Sequence, residues 1–360
     1  MKISASSSPH GIALVVVMVA IFVLAILTGG FAYSMKVEMR LAMNANHDGE
    51  MLWLGRSGVE RARWILAQQL SVPNEPYDSL NQKWAGGPGD LAESNSPLSD
   101  VSLDNYQTGD GTISIKITDL ERKFNINSAD QPVIQKALIL MGASASDTPE
   151  VVNSILDWID PDDNPRMSGA ESDYYQSLNP PYYAKNRPID DLSELLLVRG
   201  VTPEMYWGPN STNHPPASFQ KVDRFGRALE PSAYNAGLAD LFTPISSGKL
   251  NINTASQTAL QLIPGVDESI AAQIIRVRSG PDGVDGTEDD TPFRSVAELA
   301  TVGLNNAAAQ QLGRYCDVRS HAFQVEVIAD IGGYKRHFFA ILGRNNQRDI
   351  QILGFYWKDQ

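Results

Sequence analysis

The chain has 360 residues, of which 42% are hydrophobic and 20% charged, and its formal net charge is −13. That length suffices for two compact domains of about 100–200 residues each, and the acidity opposes nucleic acid and anionic headgroups as partners of the bulk surface. A single cysteine, Cys316, excludes an internal disulfide and a thiolate metal cluster and suits an oxidising compartment.

The first element is apolar. Residues Ile12 to Phe31 contain no charge, and about 20 apolar residues are the length that crosses a bilayer as a helix. The run is too long and too uniformly apolar for a core helix, and longer than the roughly 7–15 apolar residues of a secretory signal. A short polar leader precedes it, charged only at Lys2 and ending in Pro9-His10-Gly11. The amphipathic pattern then continues: Met51, Leu52, Gly55, Val59, Ala62, Ile65, Leu66 and Leu70 recur every three or four residues, which predicts one long helix ending near Pro73.

Residues 71–110 are rich in Pro, Gly, Ser, Asn and Asp and read as loop. Ile113, Ile115 and Ile117 alternate with Ser114, Lys116 and Thr118, the period of a half-buried strand. Three more strands close the chain: Phe323 to Ile331, Tyr334 to Leu342 and Ile350 to Trp357. Gly332-Gly333 marks the first turn between them and Asn345-Asn346 the second. Strand signals thus flank a helical block, and the expected fold is α+β. An N-terminal transmembrane and stalk helix carries an antiparallel sheet, interrupted by a large α-helical insertion.

That block contains one pattern twice. Phe124-Asn125-Ile126-Asn127-Ser128-Ala129 is echoed by Leu250-Asn251-Ile252-Asn253-Thr254-Ala255. The closing segments Asp191 to Leu195 and Ser295 to Leu299 match as well. Ser128 and Thr254 are the expected N-caps of the helices that follow. In the second copy Leu262-Ile263-Pro264-Gly265-Val266 resembles a helix-hairpin-helix turn. In DNA-binding versions the hairpin amides and a helix N-terminus take a phosphate. Here Asp267 and Glu268 stand in that place, and residues 251–316 and 125–200 carry net charges of −4 and −7. Packing or protein contact is therefore expected, and no nucleic acid.

Each copy holds an acidic loop. Asp160, Asp162, Asn164 and Glu171 fall on positions 1, 3, 5 and 12 of an EF-hand loop, but the usual glycine at position 6 is Pro165, so a nearby oxygen such as Asp173 is a further candidate. The second loop, Gly280 to Asp290, packs five carboxylates with three glycines, and Asp282, Asp285, Asp289 and Asp290 are its candidate ligands. Such clusters repel themselves without a cation.

Nothing points to catalysis. His10, His47, His214, His321 and His337 include no i, i+4 metal pair. There is also no nucleophile elbow, phosphate-binding loop or reactive-cysteine context.

The leader, the uninterrupted span and the helical insertion together resemble the minor pseudopilins of type II secretion systems, K type. The resemblance covers nearly the whole chain. It implies cleavage between Gly11 and Ile12 by prepilin peptidase, with the span retained. Pilins usually carry glutamate at the fifth mature position; here it is Val16, and its absence is typical of the K type. The implied organisation is a leader at 1–11, a transmembrane helix at 12–33, a discontinuous pseudopilin domain at 34–124 and 317–360, and an inserted domain at 125–316 with copies at about 125–205 and 250–316. The resemblance further implies calcium in the acidic loops and a single pass through the bacterial inner membrane, with the C-terminal domain in the periplasm. The expected role is at the pseudopilus tip, beside the I- and J-type minor pseudopilins and the major pseudopilin, and in contact with secreted proteins. Rival readings are a membrane-tethered DNA receptor, a minor pilin of a type IV pilus and an anchored hydrolase.

Overall fold

The computed structural model describes residues 10–89, 97–208 and 234–358. The leader residues 1–9 and His214 lie outside them. The chain opens with helix α1 (His10–Gln69), whose 60 residues span about 90 Å at 1.5 Å each. Strands β1 (Tyr106–Thr108) and β2 (Gly111–Asp119) follow. The middle of the chain holds β3 (Phe124–Asn125), α2 (Gln131–Met141), α3 (Thr148–Ile159), α4 (Ser172–Gln176), α5 (Pro203–Trp207), α6 (Leu238–Leu241), β4 (Phe242–Thr243), β5 (Leu250–Asn251), α7 (Gln257–Gln261), α8 (Glu268–Arg278), α9 (Asn306–Leu312) and β6 (Cys316–Asp317). It closes with β7 (Ala322–Ile331), β8 (Tyr334–Asn346) and β9 (Asp349–Lys358).

The five longer-range strands form one antiparallel sheet in the order β1-β2-β7-β8-β9. β2 and β7 alternate between buried and half-exposed residues, because one pleated face meets α1 and the other faces outward. Gly332 and Gly333 turn the chain at φ 58° and 90°, a conformation glycine adopts without strain. Two expectations shift. β8 runs through Asn345 and Asn346, so the turn is Gln347-Arg348, and Asn346 Oδ1 accepts from the amides of Arg348 and Asp349. β1 lies in the stretch read as loop; three polar residues are too few to show a period.

α1 has two halves. Described side chains from Ala13 to Ala42 are all exposed, and this half is long and apolar enough to cross a membrane. In the second half Met51, Leu54, Val59, Ala62, Ile65 and Leu66 are buried against the sheet. The helix approaches closely because Gly55 and Gly58 face the strands. A Cβ at Gly55 would lie 2.5 Å from the Phe338 ring, and one at Gly58 would lie 2.4 Å from Val327.

Two apolar cores result. One joins α1 to the sheet, and the other lies wholly between Phe124 and Val318. Between them sits a buried polar junction. Arg344 pairs with Asp78, donates to the Ser320 carbonyl at 2.7 Å and stacks 4.7 Å over Phe323. Asp119, at the end of β2, accepts from Ser320 Oγ at 2.7 Å, Asn251 Nδ2 at 3.2 Å and Thr254 Oγ1 at 2.5 Å, which ties the head to the sheet.

Candidate functional site

The two Asn-x-Asn segments are built alike. Asn125 Oδ1 accepts from Asn127 N at 2.9 Å, and Asn251 Oδ1 from Asn253 N at 2.9 Å. The second asparagine of each then clamps a distant backbone. Asn127 donates to the Ile189 carbonyl and accepts from its amide; Asn253 does the same with Phe293. Each clamped residue stands two positions before the N-cap of a closing 3₁₀ helix, Leu192–Leu197 and Val296–Val302 respectively. The opening strands β3 and β5 pair in parallel with β4 and β6.

The expected caps are corrected. Asp130 and Ser256 cap α2 and α7 by accepting from Val133 N and Ala259 N. Ser128 and Thr254 are two residues too early, because the asparagine turn still holds the backbone there. Thr254 reaches Asp119 instead.

At the hairpin of the second copy, Asp267 caps α8, its Oδ1 accepting from Ile270 N at 2.8 Å. Lys136 of α2 donates to the carbonyls of Ile263 and Val266 at 3.4 and 2.9 Å. The hairpin thus packs on the first copy and presents a carboxylate at its helix terminus.

The first acidic loop joins the C-cap of α3, Asp160, to the N-cap of α4, Glu171. Oxygens of Asp160, Asp162 and Glu171 come within 4.8 Å of one another. Glu171 is only 3% exposed, and neither of its carboxylate oxygens nor Asp160 Oδ1 has a hydrogen-bond partner. Burial, reinforced by the neighbouring Asp157, Asp160, Asp163 and Asp162, pushes the Glu171 carboxyl up to about 8. Buried, unpartnered, mutually repelling carboxylate oxygens fit a hard divalent cation.

Other loop residues hold the shape. Asp157 is fully buried and accepts from Arg166 N at 3.1 Å and from the Arg166 guanidinium at 2.8 Å; that guanidinium also contacts Asp160. Asp163 accepts from Asn186 and Ser172, both at 2.9 Å, which holds its carboxyl below the usual range. Asn164 donates its backbone and side-chain amides to Asp162, and Asp173 is exposed on α4, away from the converging oxygens. The glycine that matters is Gly169, not position 165: a Cβ there would lie 1.9 Å from Asp157 Oδ2. Asp157 precedes the loop pattern and Asp163 falls between its ligand positions, so EF-hand spacing gives no signal for them.

The second loop differs. Asp285 is paired with Arg278 at 2.6 Å. Asp282 accepts from Val284 N, Asp289 from Asp282 N and Thr287, and Asp290 from Gly286 N. Each candidate carboxylate there already has a donor. Val16 lies exposed on α1, and Gly11 and Ile12 lie in its first turns.

The comparisons with known proteins agree. A family model for type II secretion system (T2SS) protein K matches residues 114–207. The type II secretion system protein K of Pseudomonas aeruginosa is 23% identical over 358 residues, covering 96% of this chain and 91% of that protein. The putative type II secretion system protein K of Escherichia coli K12 is 27% identical over 215 residues, covering 56% of this chain and 61% of that one. The crystal structure of the GspK-GspI-GspJ complex from enterotoxigenic Escherichia coli contains a chain with the same fold, at TM-score 0.60 and 16% identity, covering 89% of this chain and 99% of that chain. Together these matches show that the chain is similar to type II secretion system protein K along nearly its whole length.

Proposed function

We propose that this protein is a minor pseudopilin at the tip of the type II secretion pseudopilus, where it initiates or caps assembly with the I- and J-type minor pseudopilins and the major pseudopilin for export of folded proteins. One observation carries the reading: α1 leaves an uncovered apolar span, enters the sheet core without a break and supports a head with its own apolar core. The sheet core corresponds to a discontinuous pseudopilin domain, and the head to an insertion made of two related hairpin units. The solved relative is a complex with GspI and GspJ, which supports partners of those types. Immunogold labelling of the exported domain on assembled fibres tests the reading. Label at one end is expected; label along the shaft overturns it.

Prepilin peptidase would cut between Gly11 and Ile12, leaving a single-pass inner-membrane protein with a periplasmic C-terminal domain. N-terminal sequencing of mature protein should read from Ile12; a start near Ala32 or Tyr33 would mean an ordinary signal peptide. Calcium is the cation we assign to Asp160, Asp162 and Glu171. In the second loop Asp282, Asp285, Asp289 and Asp290 would have to exchange existing donors for it.

The subunit acts by assembly rather than catalysis. Burial pushes the Cys316 thiol up to about 12, far from a thiolate. His47, His321 and His337 bond Glu50, the Arg344 carbonyl and Glu326. The DNA-receptor reading draws on the hairpin alone, and Asp267 occupies the position a phosphate needs.

A further inference from the structure

We propose that the cleft between α1 and the β1–β2 turn receives a single basic side chain, lysine or arginine, from the exported part of a neighbouring pilin-like subunit. The inference rests on the assembly-subunit reading and adds to it one specific contact and its chemistry.

The sequence builds the cleft from both sides. Glu50, Leu54 and Ser57 recur at i, i+4 and i+7 and so share one face of α1, with Trp53 beside them. Across from them, Gly109-Asp110 joins β1 to β2 as a two-residue hairpin turn, and Gly109 takes φ 57°. Gln107 Nε2 donates to the Gly109 carbonyl at 3.0 Å and pins that turn. Gly111 lets the turn reach the helix: a Cβ there would lie 2.5 Å from Leu54 Cδ1 and 2.9 Å from Ile331 Cγ1. The space left between helix and turn is a cleft of about 310 Å³. Leu54 and Ile331 are buried and form its floor, and the exposed Trp53 stands at its rim.

Charge selects the chemistry of the occupant. Glu50 lines the helix wall and Asp110 the turn, and no lysine or arginine lines the cleft. Glu50 is bonded to His47 Nδ1 through Oε2 alone, at 2.9 Å. The Asp110 carboxylate has no partner among the described residues. The charges around the cleft are largely matched: Asp48 pairs with Arg336 at 2.9 Å, and Asp330 with Lys335 at 3.7 Å. Arg56 lies over the Trp53 ring, 5.7 Å from its centroid. It falls about 100° round the helix from Ser57, on the flank away from the cleft. The lining is therefore negative above an apolar floor. The stem of a lysine or arginine packs on Leu54, Ile331 and Trp53 while its head meets Glu50 and Asp110. A carboxylate would be repelled.

Size and position select the source. One turn of helix, about 10 Å across and 5.4 Å long, fills roughly 420 Å³, more than the cleft holds, so a side chain enters and a helix does not. The cleft opens at the end of the sheet nearer the apolar span, about 12 Å beyond Ala42 at 1.5 Å per residue. A subunit tethered in the same membrane is held at that height, which raises its effective concentration there above that of an untethered chain.

The test uses the full chain in membranes of cells carrying the complete secretion system. The photo-crosslinker p-benzoylphenylalanine replaces Trp53, with Lys116 on the opposite sheet face as control. Crosslinked peptides are identified by mass spectrometry. Crosslinks from 53, but not 116, are expected to an exported segment of another pilin-like subunit, within a few residues of a lysine or arginine. Glu50→Gln with Asp110→Asn should lower their yield about tenfold, and Asp110→Glu should preserve it. Raising salt to 1 M should lower the yield of the unaltered pair and leave that of the neutral variant unchanged. Asp110→Lys should abolish the crosslink, and reversing the charge of the residue identified on the partner should restore it. Crosslinks to a segment without a basic residue, to an apolar helix, to lipid, to a secreted protein or to a second copy of this chain overturn the proposal. So does silence at 53 while other pilin-like chains still co-purify. If no pilin-like chain co-purifies, the assembly reading itself fails and takes the cleft contact with it.

Discussion

Glu121 shows how a single side chain can make the junction between head and sheet sensitive to pH. It is fully buried; its Oε1 accepts from Ser247 N at 3.1 Å and His321 N at 3.0 Å, and its Oε2 has no partner. Burial, then the nearby Asp119, pushes its carboxyl from 4.5 up to about 7. The native state therefore holds a proton that the unfolded chain releases, and stability falls as pH rises across that window. The associated stabilisation is fully present below about pH 4.5 and lost as pH passes about 7, and it amounts to about 3 kcal/mol. Glu121→Gln keeps the acceptor and removes the titration. Thermal melts of the exported domain should show the variant matching wild type near pH 4.5 and exceeding it at pH 8. A constant offset between the two curves would refute the assignment. The proposed cation site in the first acidic loop permits a parallel test at neutral pH. A cation bound only by the native state raises its melting temperature by mass action, and Glu171→Gln or Asp160→Ala should abolish most of that gain. Asp289→Ala should remove less, since Asp289 already accepts from Asp282 N and Thr287. Melting curves unchanged between calcium and chelator would defeat the site. These residues were unequally legible. The EF-hand spacing pointed to Asp160, Asp162 and Glu171, whose oxygens converge within 4.8 Å, because spacing along one loop is local. It gave no signal for Asp157, which the helix α3 supplies from inside the core, or for Glu121, whose partners lie 126 and 200 residues away.

At the scale of elements, periodicity carried most of the information. The stripe from Met51 to Leu66 and the alternation in β2, β7 and β8 are direct images of one buried face. The duplicated asparagines were visible as letters, but their clamps on Ile189 and Phe293 were not, since those contacts span 62 and 40 residues. Gly55 read as one more apolar position in the stripe. Its role, shared with Gly58, is to let α1 down onto the strands. Two opposing effects then meet in a glycine substitution. A side chain in place of helical glycine gains up to about 1 kcal/mol of propensity, whereas overpacking a close contact loses about 1–3 kcal/mol. Gly58→Val must displace a Val327 methyl only 2.4 Å from its Cβ, and both partners are β-branched and stiff, so the clash wins. Gly49→Ala meets nothing within 4 Å and should be neutral or stabilising. Thermal melting of the two variants should therefore move in opposite directions. A Gly58→Val protein as stable as wild type would mean that α1 does not lie this close to the sheet.

At the scale of the whole molecule, a helix long and apolar enough to cross a membrane carries the sheet and the helical block, and the proposed place at the end of a fibre would turn on Val16. Cleavage after Gly11 would leave an ammonium on Ile12 near the apolar phase. By family resemblance, the fifth-position glutamate of one subunit pairs with the N-terminus of the subunit assembled ahead of it. A subunit with nothing ahead of it has no such ammonium to meet, and an unpaired ionisable group in the bilayer costs about 2.5–3.5 kcal/mol on insertion scales. Val16, exposed on an unbroken apolar helix, avoids that cost. The head argues the same way: its core reaches from Phe124 to Val318, and every layer of a shaft would have to make room for it. Val16→Glu should therefore impair the start of assembly while leaving the exported domain folded, since the change lies far from both cores. Fewer fibres and reduced secretion are expected from Val16→Glu, with Val16→Leu indistinguishable from wild type. Fibres in normal number, with Val16→Glu subunits incorporated along the shaft, would show that the residue does not mark the end of the fibre.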